Sequence, residues 1–120
     1  MGRALAVSAV DVSSTPQTMG APAVVRVVGD LDIAGVPEVR SALLSAEAAQ
    51  PDALAIDLAE VSHLDSTGLR ILLDGARRAA AAGRRFIIVA PPEGPVGRIL
   101  RLTLLLEHLE VVPELGAASR

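Results

Sequence analysis

The stretch Val61-Ser62-His63-Leu64-Asp65-Ser66-Thr67-Gly68-Leu69 gathers an imidazole, a carboxylate and hydroxyls in one short segment. His63, Asp65 and Ser66 are the residue types of a nucleophilic triad. Residues this close in one segment rarely align base and nucleophile, and no G-x-S-x-G elbow presents a serine. Neither G-x-x-x-x-G-K nor G-x-G-x-x-G occurs, so no motif cradles a nucleotide. Asp65 or Ser66 can instead cap a helix, a side-chain oxygen taking an orphan N–H two or three residues on. Ser66 at a helix start can also carry a phosphate, which would meet N–H groups and the positive end of the helix dipole. The two roles are compatible. Gly68, without a side chain, is expected to let another protein approach closely, and His63 to be a half-buried turn residue.

These residues need elements to position them. A helix is expected over Ser66–Ala82, with Leu69, Leu72, Leu73, Ala76 and Ala80 as its buried stripe and Gly83 as its C-cap. Arg70, Asp74, Arg77 and Arg78 form its solvated face, with Arg70–Asp74 and Asp74–Arg78 at i, i+4 spacing. Before it, Ala53–Leu58 reads as a strand whose Asp57 lies near one end or on a solvated face, and Glu60–Asp65 as a turn. Val36–Ala49 reads as a helix with Pro37 in its first turn and Gly35 as a weak cap. Ala23–Val28 is a β-branched strand ended by Gly29, and Ala4–Asp11 would suit an edge strand. Val12–Ala21 is a loop. After the central helix come a strand at Arg85–Ala90, a loop at Pro91–Pro95, a short helix at Val96–Leu102 continued as helix or turn by Leu104–Leu106, and an edge strand at Glu110–Val112. The tail from Pro113 is expected to fray. Strands alternating with helices give an α/β architecture with a mixed sheet.

Composition narrows the function classes. The chain has 120 residues, the size of one domain, and its 51% hydrophobic and 21% charged residues are a globular mixture. With 0 Cys it has neither a disulfide nor a Cys-built metal site, and His63 and His108 are too few for a histidine cage. No cofactor is expected. The net charge of −3 argues against direct nucleic-acid binding, which needs a basic face. Phe86 is the sole aromatic, so the core must come from Leu, Val, Ile and Ala. No apolar run reaches the roughly 18–20 residues of a membrane span. The N-terminus lacks the pattern of a secretory signal, so a soluble cytoplasmic protein is expected, with Met1 and Met19 both candidate starts.

Gly29-Asp30-Leu31-Asp32 followed by Leu64-Asp65-Ser66-Thr67-Gly68-Leu69 resembles the STAS domain of bacterial anti-sigma factor antagonists. The resemblance covers Ala4 to Val112. It implies one STAS domain over residues 1–120 with its core at 4–112 and a flexible tail at 113–120. It implies a sandwich whose mixed sheet, of about four to five strands, carries helices mainly on one face. It implies that Ser66 aligns with the serine phosphorylated by an anti-sigma factor kinase, with Thr67 as fallback and Asp32 an acidic residue near by. The partner-binding surface is then Asp30, Asp32, Asp65, Ser66, Thr67, Gly68, Leu69 and Arg70. Unphosphorylated, the chain would bind the anti-sigma factor and release a sigma factor; phosphorylation would end the binding. Position 30 is Asp where the family often has Glu, Gly35 replaces a common Ser/Thr cap, and Arg70 stands where a small residue is frequent. The rival within the family is a non-switching scaffold subunit of a transporter ATPase or sensory complex. The sequence leaves open whether the chain pairs as a homodimer.

Overall fold

The computed structural model describes residues 6–10, 22–103 and 109–119. The elements run β1 (Ala6–Val10), β2 (Ala23–Leu31), α1 (Val36–Ala48), β3 (Ala53–Leu64), α2 (Ser66–Ala82), β4 (Arg85–Val89), α3 (Pro95–Leu102), β5 (Glu110–Val112) and a 3-10 helix at Leu115–Ser119. The five strands form one sheet in chain order. β1 runs antiparallel to β2, and β2 to β5 are mutually parallel. The expected mixed α/β sheet is what forms. Because the strand order never reverses, right-handed crossovers place successive helices on the same face. The three helices accordingly share one core with that face: Val39 and Leu43 of α1, Ile71 and Leu72 of α2, and Val96 and Leu100 of α3 meet Val25, Val27, Leu54, Ile56 and Leu58. Each fully buried Leu, Ile or Val contributes about 1.5–3 kcal/mol through the surface it removes from water.

The strands are longer than the sequence suggests. β2 continues through Gly29 to Leu31, and β3 runs to Leu64 rather than ending at Leu58. Gly29 does not stop the strand; it takes φ +106° where the β2–β3 register slips between Gly29 and Asp30. A φ of that sign is open to glycine, which has no Cβ to clash. The expected turn at Glu60–Asp65 is therefore strand up to Leu64, paired with the end of β2: Asp30 lies beside His63, and Leu31 beside Leu64.

Other expectations shift in detail. The buried stripe of α2 is Gly68, Ile71, Leu72, Gly75 and Ala79, about one position round from the Leu73 and Ala80 expected. Gly75 is part of it because the chain's single phenyl ring lies there: a Cβ on Gly75 would come within 2.8 Å of Phe86 Cζ. Gly83 is the left-handed C-cap of α2, at φ 70°. Arg78 does not join Asp74 on a solvated face. It forks onto Glu47 of α1, Nε and Nη2 donating to Oε1 and Oε2 at 2.8 and 2.9 Å. Asp74 pairs with Arg70, as expected, at 3.8 Å, and with Arg77 at 3.6 Å.

The second face of the sheet has its own cluster of Val24, Ala53, Ala55, Ile87 and Val89. Ala118 and Leu115 pack against it, so the tail expected to fray is anchored there by apolar contact. Asp57 lies neither at a strand end nor on a solvated face. It is 6% exposed and accepts from Arg26 Nε at 3.4 Å and from Ala59 N–H at 3.1 Å. The Val12–Ala21 loop, both candidate starts, Leu104–Leu106 and His108 lie outside the described residues.

Candidate functional site

The site lies at the carboxyl ends of β2 and β3, where two loops meet. Asp65 N–H donates to the Leu31 carbonyl at 3.4 Å and ties the loops together. After Leu31 the chain turns at once: Gly35 N–H donates to the Asp32 carbonyl at 3.0 Å, and Ala34 N–H to the Asp32 side chain at 3.1 Å. The short polar side chain of Asp32 mimics a backbone acceptor and holds this turn.

Asp65 is the N-cap of α2, in extended backbone conformation. Its Oδ1 accepts the N–H groups of Thr67 and Gly68, each at 3.0 Å, and the Thr67 hydroxyl. That hydroxyl is the main reason the Asp65 carboxyl titrates below its ordinary range, with the Gly68 N–H next. Donors aimed at a carboxylate favour its charged form. The cap reading of Asp65 is thus observed in full. It also changes the expected anion site, because the N–H groups of Thr67 and Gly68 that a phosphate would meet are already held by a carboxylate.

The expected surface residues separate into three groups. Ser66 and Arg70 are exposed, and the Arg70 side chain retains 75% of its accessibility. Asp30, Asp32, Asp65, Thr67 and Leu69 are half-buried at the rim. Gly68 is buried, which corrects its reading as an open approach for another protein. A Cβ there would lie 2.5 Å from Leu64 Cδ1 and 2.9 Å from the Leu31 carbonyl oxygen. Its missing side chain lets α2 close onto the ends of β2 and β3. His63 is exposed on a strand rather than half-buried in a turn, and the Asp65 carboxylate serves the helix start, so the two do not form a base–orienter pair. Among the described residues no group of three or more His, Cys, Asp or Glu is arranged to hold a metal ion. Nor, among them, is any helix long and apolar enough to cross a membrane.

One residue at this site was missed by sequence reasoning. Ile33, between Asp32 and Ala34, is 72% exposed. Its signal was an apolar residue inside an Asp-led turn.

Comparison with known proteins agrees with this fold. The family described as Mlab, STAS domain matches residues 14–111. An anti-sigma factor antagonist from Mycobacterium paratuberculosis superposes with a TM-score of 0.79 at 28% identity, over 96% of this chain and 91% of that one. The unphosphorylated form of the anti-sigma factor antagonist SpoIIAA superposes with a TM-score of 0.68 at 22% identity, over 93% and 92%. With the family pattern extending across most of the chain and the sheet and helices superposing on those of an anti-sigma factor antagonist, the chain belongs to the STAS domain family.

Proposed function

We propose that the chain is an anti-sigma factor antagonist, a non-catalytic binding protein that works in the cytoplasm by partner switching. Unphosphorylated, it binds an anti-sigma factor with serine kinase activity through Asp30, Asp32, Asp65, Ser66, Thr67, Leu69 and Arg70, and so frees a sigma factor. Phosphorylation of Ser66 ends the binding. Gly68 contributes from below, by seating α2. The observation that carries the reading is the contrast between two adjacent hydroxyls. Ser66 is exposed, whereas the Thr67 hydroxyl is committed to Asp65. The 28%-identical antagonist supports the general role.

A phosphate on Ser66 brings about −1.5 to −2 charge at pH 7. It would sit beside the Asp65 carboxylate, with Asp30 and Asp32 on the neighbouring strand end. A partner closing over this group must strip water from an unpaired charge. A penalty of about 3–4 kcal/mol weakens binding roughly 100–1000-fold.

The test uses purified anti-sigma factor kinases from the same genome and labelled ATP. Ser66→Ala is expected to take no label and to bind constitutively, Thr67→Ala to be labelled, and Ser66→Asp to fold but not bind. Labelling of Ser66→Ala at the wild-type level overturns the assignment. A second reading, the non-switching scaffold subunit, draws on Arg70. An exposed guanidinium one turn from Ser66 attracts a phosphate and would blunt a charge switch. A pull-down recovering only transporter ATPase subunits would favour it.

A further inference from the structure

We propose that Ile33 is the apolar anchor that selects the anti-sigma factor, inserting into an apolar socket ringed by Arg or Lys on that partner; this rests on the docking reading above. Among the described residues three large hydrophobic side chains are strongly exposed: Ile33, Leu44 and Leu102. Leu44 lies within α1 and Leu102 ends α3, whereas Ile33 belongs to the loop that carries Asp32.

Single exposed aliphatic residues are ordinary on protein surfaces. Ile33 differs because the fold does not use it. The turn is closed by the Gly35 and Ala34 N–H groups on Asp32, bonds that any side chain at position 33 would permit. The apolar duty at these strand ends falls to Leu31 and Leu64, at 0% and 3% exposure. Ile33 also lies close to the junction of the two loops, two residues after Leu31, whose carbonyl accepts the Asp65 N–H at 3.4 Å.

The occupant follows from the charge around it. Asp32 adjoins Ile33, Asp30 lies three residues before it, and the Leu31 carbonyl between those two aspartates accepts the Asp65 N–H, so a partner that buries Ile33 meets an acidic rim and must present cations to it. The two features divide the labour of binding. A charged rim sets the association rate and its salt dependence, while a desolvated apolar anchor sets the dissociation rate.

The experiment measures association and dissociation rates on an immobilised anti-sigma factor kinase that captures the wild-type chain, with thermal melting by circular dichroism as the fold control. Ile33→Ser is expected to melt like wild type, to dissociate about 10–100-fold faster and to keep its association rate. Ile33→Val should stay within about threefold of wild type, because it keeps most of the apolar volume. Asp32→Asn should slow association and flatten its salt dependence. If Ile33→Ser dissociates at the wild-type rate while Ser66→Asp fails to bind, the anchor is overturned and the docking reading stands. If no anti-sigma factor kinase from the genome captures the wild-type chain, both fall.

Discussion

Helices α1 and α2 both begin at the carboxyl end of the sheet, α2 with Ser66 itself, but their first turns are held differently. α1 follows Gly35, which has no side-chain oxygen, and relies on Pro37 to remove one orphan N–H. The nearby carboxylate of Asp32 serves its own loop rather than the helix. α2 follows Asp65, which holds two backbone N–H groups and a hydroxyl at once. Below α2, Gly68 brings the helix onto Leu31 and Leu64. The α2 half of the site is therefore fixed by packing and by its cap, and presents Ser66 from a rigid base. The Asp32–Ile33 half is held by a local turn whose exposed side chains can adjust to a partner.

The contrast breaks first at Gly68. Gly68→Ala forces a Cβ against a backbone carbonyl that cannot easily retreat. It should cost about 1–3 kcal/mol, toward the upper end, seen as a lower midpoint in denaturant followed by circular dichroism. With 0 Trp and 0 Tyr, fluorescence is no substitute. A midpoint unchanged from wild type would mean that α2 is not seated as tightly as described.

The next effect compares the two aspartates. Asp65→Ala should cost about 1–2 kcal/mol, since it removes a helix cap. Asp32→Ala should cost under about 0.5 kcal/mol, since its bond is exposed and local. Equal losses would erase the distinction between the two loops.

The smallest effect is in pH. Asp65 titrates below its ordinary value in the folded chain, so its contribution to stability is complete above the unfolded value and is lost as pH falls through the folded one. Asp65→Asn preserves a capping oxygen but has no such charge. The stability gap between wild type and Asp65→Asn should stay level from about pH 7 to pH 5 and shrink below about pH 4. A gap that keeps its size down to pH 2 would assign the cap's strength to geometry alone.

Much of the α2 half was legible in the sequence. A caps-and-period pattern from Asp65 to Gly83 gives the helix bounds, and the Asp-Ser-Thr-Gly-Leu run gives the family. The Asp32–Ile33 half was not. Gly29 and the polar run Glu60, Ser62 and His63 are the composition of turns, yet they lie in strands because a slipped register lets exposed residues alternate unevenly. Local pattern carries no information about such a slip. The direction of Gly68 and the exposure of Ile33 were equally hidden, since an absent side chain and an aliphatic one reveal their surroundings only after packing. Arg78 had a suitable local partner in Asp74 and took a distant one in Glu47, whose two oxygens match its fork.

The Arg26–Asp57 pair bears on how the sheet finds its alignment. β3 runs Ala-Leu-Ala-Ile before Asp57 and pairs with the valine-rich β2, so hydrophobicity alone would accept several parallel offsets. A slide by two residues keeps every side chain on its face but sets Asp57 opposite Val24 or Val28, leaving a carboxylate in apolar surroundings without its cation. The correct offset is the one that places Arg26 beside it. Between β2 and β3 this ionic rung therefore adds a penalty for misalignment to the preference set by the aliphatic residues, because a displaced Asp57 would be a buried carboxylate without its cation.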